Sequence, residues 1–509
     1  MMNITINGTG LTLADVIAVA YHQKRVTIAD EAWAKVERAR AFVEQIIAEN
    51  RVVYGITTGF GKFSEVSISA DATEELQRNL IRSHACGVGQ PFPAEVVRTI
   101  MLLRANALVQ GHSGVRRATL ELLLDMLNND IHPVIPEQGS VGASGDLCPL
   151  AHLVLVMIGE GQAETGGQVM DGGAALARHG LKPISLGAKE GLALINGTQM
   201  MNAVGALALH KAQLLAKTAD IAAALSWEGL RGTDAAYDAK VHALRPHAGQ
   251  SKVASNMRRL VAGSAIRQSH LNCPKVQDAY SLRCVPQVHG AGRDALSYVA
   301  HVINTEMNSV TDNPLLFPEQ GEVISGGNFH GQPLALALDF LGIALSEWAN
   351  ISERRTERLV NPALSGLPAF LTAGGGLNSG MMIAQYTAAA LVSENKVLAH
   401  PACVDSIPTS ANQEDHVSMG SIAARKAAQI AEHLASVLAI EVMAACQGIE
   451  FCRPHQPGVG TGAAYQAVRA EVAPLMEDRP LYTDIAKLTN LVASGRLLQA
   501  VEDAIGALD

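Results

Sequence analysis

The stretch AVGALALHKAQLLAKTADIAAAL, residues 203–225, shows the pattern that decides the fold of this chain. Its apolar residues recur at spacings of three and four, which is the period of an α-helix with a buried face. The stretch is rich in alanine and weakly charged, so we expect it to be buried among other helices. The same spacing occurs in four further stretches, 96–127, 334–351, 381–398 and 416–446.

Strand signals are few and local by comparison. Residues 3–6 and 322–324 have them, and the alternation of strands and helices that marks a doubly wound sheet is not seen. The sequence therefore predicts a mainly α fold: a central bundle of long helices with glycine-rich active-site loops and few short strands.

Glycine-rich connections interrupt the helical stretches. They lie at 55–61, 139–145, 326–331, 374–380 and 458–462, and we interpret the last as the joint before a C-terminal helical piece. We expect an N-terminal region over 1–200, a long-helix bundle over 201–450 and a C-terminal piece over 451–509. These regions are expected to form one interlocked unit rather than independent domains.

Composition argues against several classes of protein. The 509 residues carry a net charge of −9, and charged residues make up only 17 % of the chain. The lack of a basic run argues against nucleic-acid binding, and the shortage of charged residues argues against disorder. Because interface cores are depleted in charge, the low charged fraction suggests that other subunits cover part of the surface.

Cysteine usage and apolar runs indicate the cellular compartment. The seven cysteines are odd in number and form no CxxC pair, which argues against a disulfide framework or a zinc ribbon. The N-terminus lacks the pattern of a signal peptide. The apolar run 334–345 is broken by Asp339, and we expect no segment to reach the roughly 20 residues that span a bilayer. We therefore expect a cytoplasmic protein without membrane or nucleic-acid partners.

The segment that points most directly to chemistry is GSVGASGDLCPL, residues 139–150. Pro149 suits the first turn of a helix, which the apolar run after it continues. One interpretation is an ordinary glycine loop capped by Asp146. A hydrolase nucleophile at Ser144 is a weaker one, because Asp146 stands where a nucleophile elbow needs glycine.

A third interpretation rests on the small bulk of Ala143, Ser144 and Gly145. In a tight turn, the unhindered nitrogen of Gly145 could attack the carbonyl carbon of Ala143 and close a five-membered ring. Loss of one water completes the ring, and loss of a second from Ser144 leaves an exocyclic methylene. The product is 4-methylidene-imidazol-5-one (MIO), an electrophile that no ordinary side chain provides. The helix N-terminus after the loop would stabilise negative charge on it.

The tetrapeptide ASGD at 143–146 resembles the prosthetic-group motif of the aromatic amino-acid ammonia-lyases, and the likeness covers nearly the whole chain. Further matching blocks are YGITTGFG (54–61), NGT (196–198), QDAYSLR (277–283), GGNFH (326–330) and NQEDHVSM (412–419). The resemblance implies an ammonia-lyase that makes MIO from its own residues and uses no metal or diffusible cofactor. It also implies a homotetramer whose subunits share active sites.

Two positions favour L-histidine as the substrate, with trans-urocanate and ammonia as products. Phenylalanine-type members of the family have Phe-Leu, and tyrosine-type members His-Leu, where this chain has Ser83 and His84. Those relatives also have an amide where this chain has Glu414. An imidazole needs polar partners for its ring nitrogens, whereas a phenyl ring would leave such groups buried and unpaired.

The resemblance assigns roles to thirteen residues of this sequence. The catalytic set is Ala143, Ser144, Gly145, Tyr54, Tyr280 and Glu414, the substrate-binding set is His84, Gln277, Arg283 and Met382, and the MIO-supporting set is Asp146, Asn196 and Phe329. Arg283 is expected to clamp the substrate carboxylate, and Tyr280 to lie on the same side of a helical turn. Asn196 is expected to donate a hydrogen bond to the MIO carbonyl, and Phe329 to exclude water.

Local pattern adds a prediction around Glu414. Ser410 and Gln413 have the spacing of a capping box for a helix that includes His416. Glu414 would then lie in the first helical turn, where the dipole stabilises a carboxylate. We expect Glu414 to hold the substrate imidazole.

Several alternatives stay open at this point. The base that removes the β-proton is Tyr54 or, less favoured, Glu414, and either the amine or the imidazole of the substrate attacks MIO. Within the family, the chain could act on phenylalanine or tyrosine as an ammonia-lyase or a 2,3-aminomutase. In a different class, it could be a helical scaffold without catalysis whose glycine loop never cyclises.

Overall fold

The computed structural model describes residues 3–59, 73–273 and 275–509, with the side chain of residue 73 left out. The described chain is mostly helical with few short strands, which confirms the predicted fold class. The helices are α1 Leu13–His22, α2 Asp30–Ala48, α3 Thr73–His84, α4 Ala94–Leu108, α5 Arg117–Asn128, α6 Leu147–Met157, α7 Gly172–Arg178, α8 Glu190–Ile195, α9 Gln199–Gly229, α10 Ala239–Ala243, α11 Ala248–Leu260, α12 Ala265–Ser269, α13 Tyr280–Arg283, α14 Val285–Met307, α15 Gln332–Val360, α16 Pro362–Ser365, α17 Met382–Leu398, α18 Gly420–Glu450, α19 Val459–Glu471, α20 Leu481–Ala493 and α21 Arg496–Ile505. Short 3₁₀ turns occupy Asp234–Tyr237, Ala369–Leu371 and Ser410–Asn412.

The strands form small separate sheets. They are β1 Ile4–Ile6, β2 Val26–Ile28, β3 Val88–Pro91, β4 His132–Pro133, β5 Pro136–Gln138, β6 Gln162–Thr165, β7 Gln168–Asp171, β8 Leu315–Phe317 and β9 Glu322–Ile324. β1 and β2 pair in parallel, whereas β3–β5, β4–β6–β7 and β8–β9 are antiparallel. The two strand signals found in the sequence correspond to β1 and β9.

The long helices follow the predicted stretches closely. Residues 203–225 lie inside α9, 334–351 inside α15, and 381–398 coincide with α17 apart from one residue. The stretch 96–127, in contrast, is two helices, because the chain turns between α4 and α5. Gly111 and Gly114 have φ of +80° and +73° there. These positive φ values lie outside the α-helical region and interrupt the helix, and a side chain at Gly111 would also overlap the backbone of Lys35.

Two helices are longer and more apolar than the apolar runs suggested. By length and composition, α15 and α18 could cross a membrane, so the prediction that no segment reaches that length is wrong. In each helix, most of the most apolar 18-residue window, 67 % and 78 % respectively, is buried inside the protein. Most residues of these windows therefore belong to the protein core, although Leu336, Phe340 and Ile343 on α15 are exposed.

The chain forms two compact units, each built from separated segments. The first unit comprises Met1–Leu207, Ala300–Asp339 and Pro401–Arg425, and the second comprises Ala208–Val299, Phe340–His400 and Lys426–Asp509. The division into regions 1–200, 201–450 and 451–509 stays a prediction. The expected joint at 458–462 is instead the start of a helix, because α19 begins at Val459.

Each unit has a core of its own. In the first unit, α3, α6 and α8 pack against one another. α3 precedes the glycine loop at 139–145 in the chain, and α6 and α8 follow it. In the second unit, Arg355 and Glu441 form an ion pair of 2.5 Å with no exposed surface on either side chain. Ser226 and Ser352 each donate a hydrogen bond of 2.6 Å to the same carboxylate. This buried charge is therefore fully paired, as its burial requires.

Candidate active site

The loop before α6 adopts a conformation that only glycine tolerates. Gly142 and Gly145 have φ of +69° and +76°. A Cβ on Gly145 would lie 2.1 Å from the carbonyl oxygen of Gly197, which any real side chain avoids. The next residue, Asp146, donates its backbone N–H to the same oxygen at 2.6 Å. Glycine at position 145 is thus required by a close approach between two backbone segments.

Residues 418–421 hold the loop on its other side. The Ser418 hydroxyl donates to the Gly142 carbonyl at 3.1 Å, and the Ser421 hydroxyl donates to the Ser140 carbonyl at 2.5 Å. The Met419 N–H donates to the carbonyl of Val141 at 2.9 Å. Three successive carbonyls are therefore fixed from one segment, so the loop has little freedom to change shape.

Ser144 points at a carboxylate from a distant part of the first unit. Its hydroxyl donates a hydrogen bond of 2.8 Å to Oε1 of Glu414. The other oxygen of Glu414, Oε2, accepts from the Thr409 hydroxyl at 2.7 Å. Both Ser144 and Glu414 are half-buried. The structure thus brings together the serine of the MIO motif and the carboxylate predicted to hold the substrate.

The backbone around Glu414 differs from the prediction. Thr409 and Glu414 pair as an isolated antiparallel bridge, and residues 410–412 between them have φ between +52° and +66°. The capping box of Ser410 and Gln413 is therefore wrong. The helix begins at Gly420 and excludes His416, because residues 417–419 extend along the glycine loop instead.

His84 lies at the last residue of α3, within the electrostatic influence of Glu414. Its Nδ1 lies 2.8 Å from the Leu80 carbonyl oxygen, so Nδ1 carries the proton and Nε2 presents a lone pair. Burial lowers the pKa of His84, although the Leu80 carbonyl and the charge of Glu414 oppose this effect. The ring is therefore neutral at neutral pH and can accept a hydrogen bond from a ligand.

Asp146 is fully buried and does not cap the helix that follows it. Its carboxylate instead accepts the N–H of Met201 at 2.9 Å, in the first turn of α9, and the Ser140 hydroxyl at 3.1 Å. Burial raises the pKa of Asp146 to about 7, with the nearby charge of Glu306 as a minor contribution. The predicted cap of α6 is thus wrong, because the carboxylate links the glycine loop to α9.

Asn196 ends α8 and is anchored by a buried network. Its Nδ2 donates to Asp312 at 3.3 Å and to the Asn313 carbonyl at 3.1 Å, and Lys189 pairs with Asp312 at 2.8 Å. Its own carbonyl accepts from Arg104 at 2.9 Å. The Oδ1 atom of Asn196 is buried without a hydrogen-bond partner among the described residues. Both amide hydrogens are thus used here, and donation to an MIO carbonyl stays a prediction.

Two further predicted residues of the first unit lie in turns. Tyr54 is half-buried in the turn that contains Gly55, whose φ is +71°. Phe60 and Gly61, the end of the same sequence block, lie outside the described residues. Phe329 is half-buried in the turn before α15.

The second unit carries the remaining predicted residues. Tyr280 and Arg283 form the ends of α13, and the guanidinium carbon lies 4.6 Å from the centre of the tyrosine ring. They therefore share one side of a helical turn, as predicted. Nε of Arg283 is buried and lacks a hydrogen-bond partner within the described part of the chain. Gln277 is exposed, and Met382 is half-buried at the start of α17.

Sequence reasoning missed residues that hold the site rather than perform its chemistry. Thr409, Ser418, Ser421 and the pair Lys189–Asp312 belong to this group. Ser418 lies inside a matching block, so the block could have pointed to it, whereas the others have no local signal. Within the described ranges, His, Cys, Asp and Glu side chains form no group of three that could hold a metal ion.

Comparisons with known proteins agree with this geometry. A sequence model described as aromatic amino acid lyase matches residues 11–470. The histidine ammonia-lyase of Alkaliphilus metalliredigens is 59 % identical over 510 residues, with all of both chains covered. The crystal structure of histidine ammonia-lyase from Trypanosoma cruzi is 47 % identical, with a TM-score of 0.92 and coverage of 99 % of this chain and 96 % of that one. Tyrosine aminomutase from Streptomyces globisporus is 39 % identical, with a TM-score of 0.95 and full coverage of both chains. A loop of small residues held between distant segments, and relatives of this similarity along its whole length, together establish that the chain belongs to the aromatic amino acid lyase family.

Proposed function

We propose that this protein is a histidine ammonia-lyase that converts L-histidine to trans-urocanate and ammonia. Identity of 59 % over the whole length to a protein of that name supports the assignment, as does the solved relative from Trypanosoma cruzi. The observation that carries the proposal is the hydrogen bond of 2.8 Å between Ser144 and Glu414. It puts a polar group suited to imidazole directly beside the residue of the MIO motif that would become the electrophile.

The residues around the loop fit the prosthetic group. The narrow space at Gly145 admits no side chain, and Ala143, Ser144 and Gly145 would together supply the ring. When formed, MIO supplies an electrophilic methylene carbon that activates the amino group of the substrate as a leaving group. Hydrogen bonds from Ser418 and Met419 hold the loop in one conformation. Because the loop is already held in place, it need not rearrange during turnover.

Polar groups at the site favour histidine over phenylalanine. Glu414 or Nε2 of His84 can accept the single N–H of a neutral imidazole. A phenyl ring offers no N–H, so the acceptor that pairs with an imidazole would be left without a partner, which costs about 1–3 kcal/mol. The family resemblance gives Arg283 the substrate carboxylate, and a guanidinium suits that role by its geometry. Within the second unit, Nε of Arg283 is buried and the Tyr280 ring lies against the guanidinium. The base is Tyr54 or, less favoured, Glu414.

We also propose a homotetramer with shared sites. Large apolar side chains on α17 support this, since Ile383, Tyr386 and Val397 are 60 %, 60 % and 69 % exposed. Such a face on one helix is typical of a surface that another subunit covers. A cytoplasmic location is supported by the cysteine pattern, since the seven cysteines are odd in number and form no CxxC pair.

The proposal is tested by incubating the purified protein with L-histidine and following urocanate absorbance. Parallel incubations with L-phenylalanine and L-tyrosine, analysed for unsaturated acids and for β-amino acids, test a second candidate. That candidate is a 2,3-aminomutase, which the similarity to tyrosine aminomutase favours. Urocanate formation from histidine alone supports the lyase, and turnover of the other two substrates alone overturns it.

A further inference from the structure

Ser144 is the residue that must lose its hydroxyl if MIO forms, and that hydroxyl contacts Glu414. We propose that Glu414 is the acid that assists this loss of water, so that one side chain both completes the prosthetic group and later holds the substrate. This inference rests on the proposed function. It concerns the maturation of the protein rather than turnover of histidine.

Geometry selects Glu414 over the other carboxyl group at the loop. Asp146 is closer in sequence, but its two oxygens accept from Ser140 and Met201 and serve to anchor the loop. Glu414 Oε1 accepts the Ser144 hydroxyl at 2.8 Å, so a protonated Glu414 can return a proton to Oγ across the same contact, whereas neither hydrogen bond of Asp146 involves Ser144. Thr409 fixes the second oxygen at 2.7 Å, so the carboxyl plane cannot turn away.

The chemical step balances as follows in atoms and electrons. The Cα–H bond of Ser144 breaks, its proton goes to solvent, and its electron pair forms the Cα–Cβ double bond. The Glu414 carboxylate, which accepts the Ser144 hydroxyl in the structure, first takes a proton from solvent. The Cβ–Oγ bond then breaks with its electron pair on oxygen, and the Glu414 carboxyl group gives that oxygen its proton. Water leaves, and Glu414 is again a carboxylate. Neither an oxidant nor another co-reactant is needed.

The two roles of Glu414 follow in order from the same contact. Before dehydration, Oε1 is occupied by the Ser144 hydroxyl, whereas Oε2 is occupied by Thr409. Loss of the hydroxyl frees Oε1 alone, because the Thr409 contact does not depend on Ser144. Oε1 is therefore the oxygen that becomes available to an imidazole N–H once maturation is complete.

The test follows the intact mass of newly made protein over time in a cell-free synthesis reaction. It compares the parent chain, Glu414→Gln and, as a matched control, Asp415→Asn, which neutralises the adjacent exposed carboxylate. The parent and Asp415→Asn should lose two water molecules at the same rate. Glu414→Gln keeps a side chain of the same shape without an acid, and we expect loss of the Ser144 water to slow by about 10²-fold, within the range of general acid catalysis. Ser144→Ala supplies the mass of a chain that cannot lose that water.

Each outcome bears on one hypothesis. If Glu414→Gln loses both waters as fast as the parent, the acid role is overturned while the lyase assignment stands. If the parent itself keeps its full mass, the proposed prosthetic group fails instead. Circular dichroism checks that the variant folds. If it does not, Glu414→Asp replaces it, since that acid is one methylene shorter and cannot reach Oγ as closely. Parental kinetics in Glu414→Asp then overturn the inference, and slow loss supports it.

Discussion

Replacing Lys189 with methionine tests the buried network that anchors Asn196. Lys189 and Asp312 have no exposed side-chain surface, and their charged atoms are 2.8 Å apart. Methionine has nearly the volume of lysine but no charge, so the variant leaves the Asp312 carboxylate buried without its ion-pair partner. Breaking a buried pair in this way typically costs about 3–5 kcal/mol of unfolding free energy.

Remaining contacts of Asp312 set where in that range the result should fall. Asn196 and the Asn313 N–H still donate to the carboxylate, at 3.3 and 2.7 Å, and the buried guanidinium of Arg104 lies near enough to interact with it. These groups offset part of the loss, so we expect a decrease of about 3 kcal/mol, the low end of the range. Neutralising Asp312 as well, in Lys189→Met/Asp312→Asn, should restore most of it.

Equilibrium unfolding in urea, at one fixed protein concentration, measures this decrease. Fixed concentration matters because assembly adds to apparent stability. The midpoint should fall for Lys189→Met and recover in the double variant, with an unchanged slope against urea. A loss below about 1 kcal/mol in the single variant, or a double variant no more stable than the single one, would refute the reasoning.

Three further predictions concern the glycine loop. Gly145→Ala should keep the mass of the unprocessed chain and unfold at least about 1–2 kcal/mol more easily, because its φ of +76° is costly for alanine and its Cβ would overlap Gly197; parental mass and stability would contradict this. Ser144→Ala should form no urocanate while folding normally, and retained activity would end the MIO scheme. Asp146 has a pKa raised from 3.8 to about 7 by burial, so its protonated form favours folding and that contribution is lost as pH rises from about 4 to about 7. The parent should therefore lose about 4 kcal/mol more than Asp146→Asn across that interval in urea titrations, and parallel pH profiles would count against it.

The fold was predictable where a helix buries one face, because that burial places apolar residues at regular spacing in the sequence. α9, α15 and α17 were found because apolar residues recur at helical spacing along their whole length. The failures occurred where distant segments decide the backbone. Residues 417–419 belong to the stretch 416–446, which has helical spacing. They nevertheless extend along the glycine loop, and Met419 has φ of +56°. Local propensity is weak compared with contacts of this kind.

In the candidate site, too, the sequence indicated individual residues, whereas contacts between distant segments were found only in the structure. The resemblance supplied Ser144 and Glu414, but the contact between them required the structure. Asp146 was predicted to cap its own helix, and it reaches α9 instead because Gly145 and Gly197 bring the two segments within hydrogen-bond distance. Capping by a residue more than fifty positions away leaves no local signal in a sequence.

The distance along the chain between the loop and the segment that holds it has a consequence for biosynthesis. Ser144 and Glu414 are separated by 270 residues, and the Ser421–Ser140 contact spans 281. At translation rates of about 5–20 residues per second, the ribosome needs roughly 15–55 seconds to add that length. During much of its synthesis, a nascent polypeptide therefore has the glycine loop without the contacts from Glu414 and Ser421. A fragment that terminates before residue 414 never acquires these contacts.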